Sequence, residues 1–412
     1  MINNKAVEKY VDVNSGDTSI ITVEHRSGNK KREFLFVNKN QGKHIPTEPM
    51  NVVGMVSKLA FKVNEGIPEN SDVLVVGFAE TATALGEMLF NACPNAVYYL
   101  ETTREDCAPC KKMLEFREEH SHATEQYIYG DMSRLPHYDY ILFVDDEIST
   151  GKTILNFITE FEKLGNSCKY GVASICNWQN ADAIARYNEL GIDRFMLISG
   201  ELEDASRKMD VEVLPDEREY AAKRCLLSRQ ERESVNMVHL DSWNNSNRFM
   251  LTRTGHGRLI VQDTDLISDM WHDILNIADK HSKESMVDRY NSKALFIGTE
   301  ECMYIPIMLA YYATSMFGEV LTHSTTRSSI DIIKGCENGD IREGIVSKYK
   351  LHSAYDSDRN TYIYNLDKYD FIFVICDKTM TKEFVDDMTS ALVHMGNDAH
   401  DIFFIEVQPK GE

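Results

Sequence analysis

Short apolar runs recur along the chain, and between them the apolar positions spread out to a helical spacing. In the first half "DVLVVGF" (72–78), "AVYYLE" (96–101), "YDYILFVDD" (138–146) and "YGVASIC" (170–176) predict buried strands. "TATALGEMLFNA" predicts a helix, as does "KTILNFITEFEKLG", whose Ile154, Ile158, Phe161 and Leu164 share one face and whose Gly165 is a stop signal. Strands alternating with helices predict βαβ units and a mainly parallel sheet. A charged stretch poor in Gly and Pro, 216–236, predicts a connecting helix. After it the alternation resumes with "KALFIGT" (293–299), "EVLTHST" (319–325), "NTYIYNL" (360–366), "YDFIFVICD" (369–377) and "DIFFIEV" (401–407).

The second half can be laid on the first in unbroken chain order. "FLFVNKNQGKH" from Phe34 meets "FMLTRTGHGRL" from Phe249, and "VLVVGFAET" meets "ALFIGTEEC" with Gly77 on Gly298 and Glu80 on Glu301. "ETTRED" meets "STTRSS", which puts Arg104 on Arg327; His120 falls on His352 and Tyr138 on Tyr369. The expected fold class is α/β: two tandem parallel-sheet units, the second a degenerate duplicate of the first. The expected boundaries are 1–215 for the first unit, 216–236 for the connecting helix and 237–412 for the second unit.

Composition narrows the partners. The net charge of −21 over 412 residues argues against a duplex nucleic-acid partner and leaves room only for a local basic pocket. No apolar run approaches the ~20 residues that span a bilayer, and the N-terminus lacks a signal-peptide profile, so a cytoplasmic protein with no membrane partner is expected. Nine scattered cysteines suit a reducing compartment, and the one C-x-x-C, Cys107 and Cys110, lacks a second pair to complete a zinc site.

The chemistry concentrates in "ILFVDDEISTGKT", Ile141 to Thr153. "TGKT" is not the end of a nucleotide triphosphate loop, because Asp146 stands where that pattern needs its first glycine. Ligands of a parallel sheet bind beyond the carboxyl ends of its strands, where Asp145 and Asp146 fall. Two adjacent carboxylates there are costly if dry and unpaired, and sugar hydroxyls or a hydrated metal would satisfy them. Ser149, Thr150, Gly151, Lys152 and Thr153 then open a helix whose free N–H groups and dipole favour an anion. Sugar-hydroxyl acceptors beside a phosphate cradle describe a pentose 5-phosphate; a strand followed by an ordinary helix cap explains the hydroxyls but not the acidic pair.

This stretch closely resembles the phosphoribosyl-pyrophosphate (PRPP) motif of type I phosphoribosyltransferases. By that resemblance Asp145 and Asp146 hold the ribose hydroxyls and approach a metal only through substrate or water, while Ser149 to Thr153 hold the 5′-phosphate. "VVGFAETATALG" matches the pyrophosphate turn, with Gly77, Glu80 and Thr81 as candidates and Arg104 further on. The polar segment between Arg104 and Asp131 matches a mobile loop over pyrophosphate, which makes Lys111, Lys112, His120 and His122 its candidate residues. "GKHIPTEP", "EEHSHAT", "GTEECMYIP" and "TTRSS" extend the resemblance to the phosphoribosyltransferase–TRSP proteins encoded with tellurite-resistance and stress-response (Ter) operons. Ser329 stands where their T-R-S-P signature has proline.

The resemblance implies PRPP-dependent transfer of phosphoribose to a small-molecule acceptor with release of pyrophosphate, in nucleotide metabolism or the synthesis of a nucleoside-like compound, with Mg²⁺ as cofactor. A homodimer is compatible with it. Ser149 replaces the aspartate that 6-oxopurine enzymes carry at that turn, so 6-oxopurine salvage is disfavoured, and an acceptor that needs little deprotonation, or one helped by His120 or His122, is expected instead. In the second unit Cys376, Met380, Lys382 and Phe384 fall on Asp145, Ser149, Gly151 and Thr153, so no PRPP site is expected there. Glu301, Thr326, Arg327, Ser328 and His352 remain as candidates for a second ligand. A PRPP- or nucleotide-sensing regulator on the same fold, or cleavage of a glycosidic bond to ribose 5-phosphate, are the competing readings.

Overall fold

A computed structural model describes residues 5–26, 28, 32–106, 112–117, 125–129, 137–163, 168–214, 228–240, 256–257, 263–334 and 344–407. The first repeat runs β1 (Val11–Ser15), β2 (Ile21–His25), β3 (Phe34–Asn38), α1 (Pro49–Gly66), β4 (Val73–Gly77), α2 (Thr83–Ala92), β5 (Ala96–Glu101), β6 (Lys112–Arg117) and β7 (Glu125–Tyr129). It continues with β8 (Tyr140–Ile148), α3 (Lys152–Glu162), β9 (Lys169–Asn177), α4 (Ala181–Glu189) and β10 (Asp193–Leu202). Then follow α5 (Arg229–Ser234), β11 (Asn236–His239), β12 (His256–Gly257), α6 (Asp263–Ser285), β13 (Lys293–Gly298), α7 (Tyr304–Ala313) and β14 (Glu319–Ser324). The chain closes with β15 (Lys348–His352), β16 (Asn360–Tyr364), β17 (Phe371–Cys376), α8 (Lys382–His394) and β18 (Ile402–Glu406).

Among the described residues, one sheet has the order β1-β10-β9-β8-β4-β5-β12 and another the order β11-β18-β17-β13-β14. The five inner strands of the first sheet are parallel and its two edges antiparallel; the second sheet is parallel throughout. Strands buried on both faces need apolar side chains at every position, not at alternate ones, and β4 and β17 are buried along their full length. Leu74, Val76, Phe143, Phe157, Phe161 and Val172 pack into one core. Leu295, Ile297, Ile372, Val374, Phe384 and Phe404 pack into its counterpart.

The repeat persists below the level of strands. β4 lies between β5 and β8 as β13 lies between β14 and β17. The amide of Thr102 donates to Gly77 O and that of Thr325 to Gly298 O, each at 2.9 Å. The Thr102 hydroxyl accepts from Ala79 N at 2.8 Å, and that of Thr325 from Glu300 N at 3.0 Å. Each repeat then carries an antiparallel hairpin, β6–β7 or β15–β16, tied back by a bridge, Thr103 with Tyr127 or Thr326 with Tyr362.

The chain forms two compact units that do not follow a single cut. One gathers Met1–Ser19, Val53–Asp204 and Arg248–Gln262, the other Ile20–Val52, Ala205–Asn247 and Asp263–Glu412. Residues of the first repeat thus complete the second unit: His25 pairs with Asp331 and Thr47 with Thr322 on β14. In return β12, from the second repeat, pairs with Tyr98 and Tyr99 on β5. Of the predicted connecting helix, the described residues form only α5, which ends before β11 begins at Asn236; 215–227 lie outside the described residues.

Candidate active site

β8 continues past its apolar run to Ile148, so Asp145 still pairs with Ser174 of β9 and Glu147 with Cys176. The two aspartates are half-buried, and the Asp146 amide donates to Asp145 Oδ1 at 2.9 Å, which turns the first carboxylate along the backbone. The Ser174 hydroxyl donates to the carbonyl of Asp146 at 3.0 Å and anchors the strand end.

The turn that follows is built around Gly151, at a φ of +70°. A side chain there would be strained by that φ and would also collide, since a Cβ would stand 2.3 Å from the Tyr187 hydroxyl and 2.6 Å from Gln179 Nε2. Tyr187, fully buried on α4, donates to Gly151 O at 2.8 Å. Burial, and then the charge of Asp145, push its phenol pKa up, so it stays a protonated donor. Gly151 occupies the cap position of α3 and has no side chain to cap it; the Lys152 amide reaches the Thr150 hydroxyl at 3.4 Å. The first N–H groups of a helix lack partners within it, so the Ser149–Thr153 turn offers donors and a positive dipole end to an anion.

At the end of β4, Gly77 lets Tyr99 pass, because a Cβ would lie 2.6 Å from its hydroxyl. The Ala79–Glu80 peptide is cis. Glu80 is buried and lies 3.8 Å from Arg104 Nη1; Thr81 is half-buried beside it. The sequence expectation of a polar loop after Arg104 is corrected in part: 112–117 and 125–129 are paired strands. Lys112 lies on this hairpin with its ammonium 3.7 Å from the centroid of the Tyr127 ring and 3.4 Å from Glu115. Lys111, His120, His122, Cys107 and Cys110 lie outside the described residues.

Beside the Ser149–Thr153 turn is a cavity of about 350 Å³ lined by Ser149, Thr150, Lys152, Leu155, Trp178 and Arg186, among others. Trp178, Gln179 and Tyr187 are additions that the sequence did not signal, because nothing in "NWQN" or in an amphipathic helix marks a residue that will back a loop.

In the second unit Glu301, Thr326, Arg327 and Ser328 come together near the ends of β13 and β14. Arg327 Nε donates to Glu300 at 2.7 Å, and its Nη2 is 3.9 Å from Glu301. Glu300 is fully buried and also takes Arg359 at 3.1 Å and the Ser353 hydroxyl. His352 is separate: its Nδ1 is 2.7 Å from Asp387 on α8.

The described residues contain no group of three or more His, Cys, Asp or Glu able to hold a metal ion, and no helix long and apolar enough to cross a membrane. No curated protein matches the chain by sequence. Solved structures similar to it include the adenine phosphoribosyl transferase of Trypanosoma brucei, 13% identical with a TM-score of 0.34 over 48% of this chain and 81% of that one. Those of Rhodothermus marinus and Thermoanaerobacter pseudethanolicus are 15% and 16% identical, each with a TM-score of 0.33, over 47% and 43% of this chain and 99% and 95% of theirs. A family model described as phosphoribosyl transferase matches residues 20–200, and one described as the TRSP domain C-terminal to that transferase matches residues 267–392. The chain therefore belongs to the phosphoribosyl transferase family that carries a C-terminal TRSP domain.

Proposed function

We propose that the first unit binds PRPP and transfers its phosphoribosyl group to a small-molecule acceptor with release of pyrophosphate. The observation that carries this reading is the pairing of two half-buried carboxylates, Asp145 and Asp146, with a helix start whose cap residue is a left-handed glycine, Gly151. The aspartates accept from ribose hydroxyls. Ser149, Thr150, Gly151, Lys152 and Thr153 hold the 5′-phosphate through backbone N–H and hydroxyl donors. Gly77, Glu80, Thr81 and Arg104 shape the turn that faces pyrophosphate, where Arg104 is the cation. Lys112, His120 and His122 belong to the segment that would cover the leaving group.

Transfer of this kind asks the protein mainly to position the two reactants and to stabilise the departing charge. Mg²⁺ fits the donor set: with no group of three or more acidic or histidine side chains able to hold it among the described residues, the cation would draw its shell from substrate and water, and the two aspartates would meet it through those. When bound it neutralises the leaving pyrophosphate. The cavity beside the phosphate turn, with Trp178 and Leu155 as apolar wall and Arg186 at its side, is the recess we assign to the acceptor.

Calorimetric titration of PRPP with Mg²⁺ into the full chain tests the reading. Wild-type binding that is weakened at least a hundredfold in the Asp145→Asn, Asp146→Asn double variant is the expected outcome. A folded wild-type protein that takes up no PRPP would overturn it.

A further inference from the structure

Gln179 follows β9 and is 1% exposed, yet among the described residues neither its Oε1 nor its Nε2 has a hydrogen-bond partner. A buried amide left unpaired is costly, and nearly all such groups in folded proteins are paired. Its Nε2 is the atom that a Cβ at Gly151 would meet at 2.6 Å, so the amide stands against the left-handed residue of the phosphate turn.

The local supply of acceptors explains why the turn itself does not satisfy it. A carbonyl oxygen has two lone pairs, and Gly151 O already accepts from Leu155 N at 3.2 Å and from the Tyr187 hydroxyl at 2.8 Å. The N–H groups at a helix N-terminus cannot accept from Nε2, and among the described residues no hydroxyl of Ser149, Thr150 or Thr153 does so. A buried donor left over beside a turn rich in N–H groups suits an oxygen-rich anion held by the same turn.

We infer that Gln179 is a further ligand-binding residue, its side-chain amide donating to an oxygen of the phosphate ester seated at the start of α3. The inference rests on the reading of this turn as the 5′-phosphate cradle and deepens it: the cradle gains a side-chain donor from β9 in addition to its backbone donors. It also accounts for Gly151 a second time, since any side chain there would push this amide away.

The test is calorimetric titration of ribose 5-phosphate, with PRPP and Mg²⁺ as a second probe, into the full-length wild type, Gln179→Met and Gln179→Glu, each with its unliganded unfolding temperature. Gln179→Met keeps the volume and removes the donor; affinity should fall about tenfold or more, as for a lost bond to a charged group, while the unliganded unfolding temperature holds or rises. Gln179→Glu should bind at least a hundredfold more weakly at pH 8, and its deficit relative to wild type should shrink as the pH is lowered toward 5 and the carboxyl regains a proton to donate. A purely structural role would not produce that pH profile. Wild-type binding with both variants unchanged overturns the inference, as does a Gln179→Met protein that loses unliganded stability but keeps its affinity. A wild type that binds neither probe overturns the cradle reading itself, and this inference with it.

Discussion

The helix after β8 and the helix after β17 occupy equivalent places in the two repeats, and their first turns are finished differently. α3 begins at Gly151, which has no side chain to cap it, and Thr150, which falls on Thr381, accepts among the described residues only from Lys152 N at 3.4 Å. α8 begins after Thr381, whose hydroxyl accepts from Phe384 N at 3.3 Å and donates to Ser353 O at 2.8 Å. One residue earlier the amide of Met380, which falls on Ser149, donates to the buried carboxylate of Glu406 at 2.8 Å. Asp377, which falls on Asp146, accepts from the Tyr355 hydroxyl at 2.8 Å. An anion and a cap are therefore present at both helix starts once a phosphate is bound to the first, but in the second the protein supplies them itself. If the first turn holds a phosphate as proposed, the second shows how the same helix start is finished from within, while the strands, turns and threonine ties around it keep their form.

The comparison is broken most severely by dividing the repeats. A fragment of residues 1–236 loses Asp331, the partner of His25 on β2, and Thr322, the partner of Thr47, and it also loses β12 from the edge of β5. It should fail to give a cooperative unfolding transition, read by circular dichroism, and should expose apolar surface to a hydrophobic dye. A fragment that unfolds cooperatively and binds PRPP like the full chain would show that the shared segments are dispensable.

Next in size is Gly151→Ala. A non-glycine residue at that φ costs about 1–3 kcal/mol, and the new methyl displaces Tyr187 or Gln179, so PRPP affinity should fall at least tenfold. The matching change in the second repeat, Lys382→Ala on the exposed face of α8, should move stability by no more than about 0.5 kcal/mol and leave PRPP binding untouched. Equal effects of the two changes would dissolve the distinction between the turns.

Acid should also separate the units. His323 on β14 is 1% exposed and has no histidine counterpart on β5, where Leu100 falls in its place. Burial lowers its pKa to about 4, although its bonds to the Tyr364 and Gly42 backbone favour the charged ring. Because the folded value lies below the unfolded one, its neutral form supports the fold fully above pH 6.5, and that support is lost as the pH falls toward 4. The total is roughly 3 kcal/mol. Urea unfolding of wild type and His323→Asn over this range should show a steeper loss in the wild type; parallel curves would refute the assignment.

A smaller change sharpens the comparison at its centre. Glu406→Gln removes the charge from the Met380 amide but keeps an acceptor, and should cost about 1 kcal/mol by thermal unfolding. It should not create PRPP affinity, because Lys382 and Glu383 still stand where Gly151 and Lys152 would be.

Most of this architecture was legible in the sequence because a parallel strand must be apolar along its whole length, and "VLVVG", "YILFV" and "FIFVIC" announce that directly. Asp145 and Asp146 were legible because acidic residues at the end of such a run contradict it. The extension of β8 to Ile148 was hidden, since "EI" carries no strand pattern. The pairing of 112–117 with 125–129 was hidden because neither short strand carries the unbroken apolar run of the central strands. Gln179 was hidden because its meaning depends on which acceptors Gly151 has already used. The segment exchange was beyond reach for a simpler reason: the two repeats offer nearly the same edge, and local pattern cannot say which copy a strand will join.

That exchange sets a clock on synthesis. Thr47 leaves the ribosome 275 residues before Thr322, the residue it must bridge, and at about 5–20 residues per second the wait is roughly 15–55 s. Throughout it, the paired strands β2 and β3 and the buried Lys43, which donates to Glu300 O at 2.5 Å in the finished fold, have no permanent neighbours. The newborn chain therefore carries an unsatisfied apolar segment for most of its translation, and helper proteins that shield such segments should be found on nascent chains of this protein shorter than about 330 residues and released from longer ones.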